Sequence, residues 1–186
     1  VNFTNREIVD LTKAWIGVTL AFQLLGFTAT QRITLTSFIS TSVIVGGAVI
    51  LHELGHKYTA QKYGYPARFH SNDLMLAVGV LMAFTGFIFL APGAVHVRGI
   101  RDMKANGFIA WAGPAVNLVL SVVGYALYYA VQSPYFLQLA WINALLGAFN
   151  MIPFPGFDGE KIWRGDRTLY IATTILLVLL LAARFL

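Results

Sequence analysis

His52 and His56 stand four residues apart in HELGH, with Glu53 directly after the first of them. On an α-helix that spacing puts both imidazoles on one face, where their nitrogens can hold a single metal ion. Glu53 reaches a water on that ion without having to bind the ion itself. Two histidines for zinc and a glutamate as general base is the chemistry an HExxH helix supplies. Three fixed positions are a short pattern, and two satisfied histidines at a helix end would explain it equally well in a water-soluble sequence. The surroundings weigh against that. The run FISTSVIVGGAVIL leads straight into the motif. Ionisable groups inside such a run are expensive and mark function by default. If the helix continues to Lys62, the site lies on the order of 10 Å inside the membrane boundary, at ~1.5 Å rise per residue.

A catalytic zinc usually has three protein ligands and an open position. Candidates for the third are His70, His96, Asp73, Asp102, Asp158, Glu160 and Asp166. Most stand among other charges, where solvation accounts for them. Asp158 is the favoured one. It follows an apolar run in FNMIPFPGFDGEKIW, where Pro153, Pro155 and Gly156 stop a helix and turn the chain. Asn150, eight residues earlier, is placed for its side-chain NH₂ to steady an oxyanion or hold a substrate carbonyl. Asn117 and Asn143 also lie inside apolar segments. For these two, a helix–helix hydrogen bond and a substrate contact are both open.

The elements that must position these residues follow from composition. Of 186 residues, 58% are hydrophobic and 11% charged, with a mean hydropathy of +0.69. A soluble domain carries roughly 25% charged residues, so the chain reads as an integral membrane protein. The stretch 1–13 carries both charge signs and no small-residue cleavage signature follows it, so a removable signal peptide is not expected. Cysteine is absent, which leaves histidine, carboxylate and carbonyl groups as metal ligands. The net charge of +5 is spread over short loops between apolar blocks. That pattern fits orientation in a membrane better than a phosphate-binding face, so nucleic acid is not an expected partner. No internal repeat or long linker divides the chain, and 1–186 reads as one domain.

The fold class expected is all-α and polytopic, with five to six transmembrane helices. Spans fall at residues 14–30, 35–51 running on as helix through the histidines, 108–131, 135–151 and 169–183. Gly46, Gly47 and Gly113 read as small residues that let neighbouring helices approach. Residues 74–97 would be a further span by hydropathy alone. The positive-inside rule places Lys57, Lys62 and Arg68, and also Lys161, Arg164 and Arg167, in the cytoplasm. Arg98, Arg101 and Lys104 belong with them, so the stretch enters and returns on one side. Gly86 divides it into a helix-like half and a β-rich half, FIFLAPGAVHV. The expectation is a re-entrant helix and strand over about 72–97, buried in protein or bordering a cavity. Phe87 and Phe89 on that strand are candidate substrate contacts, by strand addition. In this topology 11 of the 13 cations are cytoplasmic, all but Arg32 and Arg184. The N-terminus is inside, the C-terminus outside, and the active site of this multi-pass cell-membrane protein faces the cytoplasm.

Three motifs in order carry a family resemblance: HELGH at 52–56, GPAVN at 113–117 and NMIPFPGFDG at 150–159. Together they resemble the site-2 protease family of intramembrane zinc metalloproteases, in HExxH, GPxxN and NxxPxxxxDG form, over roughly residues 37–163. The resemblance implies His52, His56 and Asp158 as ligands of one zinc per chain. It implies Glu53 as catalytic base and Asn150 as a substrate or oxyanion contact. It further implies cleavage of transmembrane protein substrates within the lipid bilayer, usually after another protease has trimmed them. No PDZ-like or soluble sensor domain is inserted here. Phe157 stands where many relatives have leucine or methionine, and residues 74–97 are more apolar than the short strands expected there. Two non-enzymatic classes compete: a catalytically silent relative that binds membrane helices, and a metal transporter. Transport favours ionisable groups strung through the membrane, whereas here they gather at one depth. A silent relative would be expected to lack Glu53 or a ligand.

Overall fold

The computed structural model describes residues 1–87 and 92–185. Phe89, on the expected strand, lies outside the described residues. In chain order the elements are α1 (Asn5–Thr30), α2 (Leu35–Thr41), a π-helical turn (Ser42–Gly46), α3 (Gly47–Lys62), β1 (Ala67–Ser71), α4 (Asp73–Ala83) and β2 (Gly93–Val97). There follow α5 (Met103–Val131), α6 (Pro134–Asn150), α7 (Asp158–Gly165) and α8 (Arg167–Ala182), with a last 3₁₀ turn at Ala183–Phe185.

Four helical stretches are long and apolar enough to cross a membrane: Asn5–Thr30, Leu35–Lys62, Met103–Val131 and Arg167–Phe185. They overlap four of the expected spans. The remaining one, at 135–151, is α6, a helix of 17 residues. The apolar α4 has 11 residues, too few at ~1.5 Å each to cross a core of about 30 Å. Gly86 follows it with a φ of 80°, and the extended segment beyond is β2. Among the described residues of this stretch the elements are thus α4, the turn at Gly86 and β2.

The chain forms two compact units, Val1–Ile50 with Arg68–His96, and Leu51–Ala67 with Val97–Leu186. In the first unit, the polar residues that open α1 are spent on tertiary bonds. Thr4 caps the helix by accepting from the Glu7 amide at 3.3 Å. Glu7, 2% exposed, accepts from the Phe69 backbone N–H at 2.9 Å. Asp10 accepts from the Ser71 hydroxyl at 3.1 Å, and the Lys13 ammonium meets Asp73 at 2.8 Å. One face of α1 at i, i+3 and i+6 therefore fastens β1 and the start of α4. Replacing Glu7 by leucine leaves a buried N–H without its acceptor and is expected to cost about 1–3 kcal/mol. Glutamine keeps the carbonyl oxygen and should restore most of that loss, read as thermal unfolding in detergent. Equal stability of the leucine variant and wild type would contradict the role.

The π turn lies against Trp15. The Ser42 carbonyl accepts both the i→i+5 bond from the Gly47 N–H and the Trp15 indole N–H, the latter at 2.8 Å, and the Trp15 ring lies where a side chain at Gly46 would be. Gly46 is thus a close-packing glycine as expected, while Gly47 has open space around it.

In the second unit, α5 packs against α6, α7 and α8. Asp102 caps its start by accepting from the Lys104 amide at 3.0 Å, and Gln132 ends it in the left-handed region at a φ of 57°. Ala110, Met151, Ile162 and Leu177 form an apolar core, and the Trp111 indole donates to the Thr173 hydroxyl at 2.9 Å. α3 runs on to Lys62 as expected, and Lys57, grouped with the loop cations by sequence, is fully buried on it at 0% exposure.

Candidate metal centre

His52 and His56 are on α3, one turn apart and nearly buried at 5% and 7% exposure. Their faces point at α5, where Ile109, Gly113 and Asn117 recur every four residues and so share one side of the helix. Each of the three does something different. The Asn117 Oδ1 accepts from His52 Nδ1 at 2.6 Å, and the Ile109 carbonyl accepts from His56 Nδ1 at 2.9 Å. Gly113 supplies space. A Cβ there would lie 2.6 Å from His52 Nε2, and closer still to His56 Nε2. The approach of the helices is tight elsewhere in the motif as well, since a Cβ on Gly55 would stand 2.7 Å from the Ala112 carbonyl oxygen.

Asp158 arrives from the far end of the chain. α6 stops at Asn150, and the turn through Pro153, Pro155 and Gly156, the last at a φ of 100°, delivers Asp158 as the first residue of α7. A carboxylate in a first turn also faces the positive end of the helix dipole. Phe157 anchors the turn, its ring edge-to-face with Phe149 at 5.1 Å between centroids. Asp158 Oδ2 lies 3.2 Å from His52 Nε2 and 3.1 Å from His56 Nε2, and the two Nε2 atoms are 3.1 Å apart.

That triangle is arranged as a metal-ligand set would be. Both histidines use Nδ1–H as donor, so each neutral ring turns a lone pair inward at Nε2. Asp158 adds a carboxylate oxygen. Three acceptors at such spacing repel one another unless a cation or extra protons join them. Tetrahedral zinc, with bonds of about 2.0–2.1 Å, sets its donors roughly 3.3 Å apart, which the observed separations nearly match. His52, His56 and Asp158 are the group among the described residues that could hold a metal ion.

The other acidic and histidine candidates have local partners. Asp102 and Asp166 cap helices, Glu160 pairs with Arg164 at 2.8 Å and Asp73 with Lys13. His70 faces Asp10 at 3.6 Å and stacks edgewise on His96. Glu53 is half-buried on α3 beside the triangle. Asn150, also half-buried, donates to the Leu146 carbonyl of its own helix at 3.0 Å, so its amide is turned along α6. Asn143 is fully buried and accepts from Asn117 Nδ2 at 2.9 Å. Phe87 is exposed. Two features of this site escaped the sequence reading: the Ile109 carbonyl and the steric role of Gly113. The four-residue spacing of 109, 113 and 117, equal to that of the histidines, was the available signal.

Comparison with known proteins agrees with this chemistry. The family model of peptidase family M50 matches residues 40–136. A protein of Methanocaldococcus jannaschii is 34% identical over 169 residues, covering 86% of this chain and 84% of that protein. A Bacillus subtilis protein is 27% identical over 153 residues, 70% of this chain and 69% of its own length. Both carry the provisional name of zinc metalloprotease. A second M. jannaschii protein, named a zinc metalloprotease, is 28% identical over 63% of this chain, which spans only 31% of that longer protein. No solved structure matches. With a family match over more than half of its residues and a relative sharing a third of them across most of both lengths, this chain belongs to peptidase family M50.

Proposed function

We propose that the chain is an intramembrane zinc endopeptidase that hydrolyses peptide bonds within or near the transmembrane segments of other membrane proteins. The observation that carries this reading is the convergence of three inward-facing acceptors, from His52, His56 and Asp158, on one point of a helix long and apolar enough to cross a membrane. Membership of a metalloprotease family supports the reaction type.

In this reading His52, His56 and Asp158 hold one zinc ion per chain. When bound, zinc lowers the pKa of water and polarises a carbonyl oxygen. Glu53 takes the proton of the attacking water and later gives it to the leaving nitrogen. Asn150 turns its NH₂ from Leu146 to the developing oxyanion as substrate binds. The substrate must be extended, because helix hydrogen bonds shield its amides. Strand addition to the segment 87–97 would hold it so, and Gly93–Val97 is a strand whose one partner among the described residues is β1. The distribution of loop cations supports a multi-pass topology with the site towards the cytoplasm.

Metal analysis of the purified chain in detergent tests the ligand set. Wild type is expected to hold about one zinc, and Asp158→Ala to weaken binding strongly and abolish cleavage of a model transmembrane substrate. Full zinc occupancy in Asp158→Ala, or none in wild type, would overturn the proposal.

A further inference from the structure

We propose that Asn117 and Asn143 are positioning residues, which hold His52 in the one tautomer able to bind a metal through a chain of amide hydrogen bonds that starts at the Leu139 carbonyl. The inference rests on the reading of His52 as a metal ligand. It goes beyond the alternatives the sequence left open for these asparagines, a substrate contact or a helix–helix hydrogen bond, the second of which Asn117 and Asn143 make with each other.

The direction of the chain follows from its first link. Asn143 donates to the backbone carbonyl of Leu139 at 2.9 Å. A carbonyl only accepts, so the Nδ2 end of Asn143 faces it and Oδ1 is turned the other way. That oxygen also only accepts, and it takes a hydrogen from Asn117 Nδ2 at 2.9 Å. Asn117 is thereby turned with Oδ1 towards His52 Nδ1, 2.6 Å away. Facing an acceptor, His52 must carry its hydrogen on Nδ1, and its lone pair is left on Nε2, the atom that faces Asp158 and His56. Reversing any one amide would oppose like groups in a buried site, because both asparagines are 0% exposed and water cannot repair the mismatch.

The two histidines are held by different means. His56 Nδ1–H is received by a backbone carbonyl, which no substitution removes. His52 is held by side chains alone, so its tautomer depends on residues 117 and 143. The outer partner of a ligating imidazole also fixes the ring and raises its basicity. The relay therefore sets metal affinity through one ligand of three, although neither asparagine touches the metal.

The test is zinc affinity of the purified full chain in detergent, by chelator competition, with the Co²⁺ absorption spectrum as a report on coordination. Asn117→Leu is expected to weaken zinc binding roughly 10- to 100-fold and to alter the Co²⁺ spectrum. Asn117→Asp keeps an acceptor for His52 Nδ1–H, although it cannot donate to Asn143, and should stay within about threefold of wild type or bind more tightly. Asn143→Leu, which leaves His52 and Asn117 in place, should give an intermediate loss. It serves as the second test if Asn117→Leu does not fold. A packing role would instead lower thermal stability in both Asn117 variants alike and leave zinc affinity untouched, and that result would overturn the relay. Equal zinc affinity of Asn143→Leu and wild type would also count against it. If wild type bound no zinc, the metal-site reading itself would fall. If wild type bound zinc and Asn117→Leu matched it, only the relay would fall.

Discussion

Glu53→Gln is expected to reduce peptide hydrolysis by about 100- to 10,000-fold, the usual contribution of a general base, and to leave close to one zinc per chain. The argument is one of division of labour. The inward-facing donors are His52 Nε2, His56 Nε2 and Asp158 Oδ2, and Glu53 is not among them. Glutamine has the shape of glutamate and fits the same half-buried position on α3, but its amide cannot accept a proton from water. Chemistry should fail while the site stays intact. Cleavage rate and metal content, measured on one preparation, decide the matter. A variant that cleaved at a rate within a few-fold of wild type would remove Glu53 from the mechanism. The same substitution separates the competing classes, since a transporter has no need of a base there and should lose little metal flux.

Gly113→Ala is expected to empty the site of metal, to below about a tenth of wild-type zinc, without unfolding the chain. The added methyl carbon would stand 2.6 Å from His52 Nε2 and nearer to His56 Nε2. Those atoms cannot easily retreat. Each ring is held from behind, by Asn117 and by the Ile109 carbonyl, on the same α5 face that carries residue 113. Alanine is also the better helix former, by roughly 1 kcal/mol over glycine in a helix interior. Lost metal could not then be ascribed to a weakened α5. Gly47→Ala is the control, because nothing lies within 4 Å of a Cβ there, and it should keep its zinc. Metal content and thermal unfolding of the two variants together test the idea. A full complement of zinc in Gly113→Ala would show that the methyl group does not reach the metal position.

These two residues mark the boundary between what is legible in the chain and what is not. Glu53 could be assigned a role from its neighbours, because HELGH is a local pattern. Helical periodicity by itself puts His52 and His56 on one face, and an apolar run places them inside a membrane segment. Gly113 could not, because a missing side chain has no chemistry of its own. As a sequence feature it reads as a site of close helix approach, which is true but incomplete, since what lies nearest to it are the imidazole rings of His52 and His56.

Composition and periodicity determined that this is an apolar, largely helical chain, with a metal-binding pattern at the end of one long helix. Tertiary structure decided the rest. It set Asp158 against histidines about a hundred positions away, turned Asn117 towards His52 and Asn150 along its own helix, buried Lys57, and engaged Glu7 with the backbone of β1. Local pattern fixes which face of a helix a residue occupies. Which side chains then share that face is set by packing between helices, where the donor, acceptor or empty space that completes a site comes from distant positions in the chain.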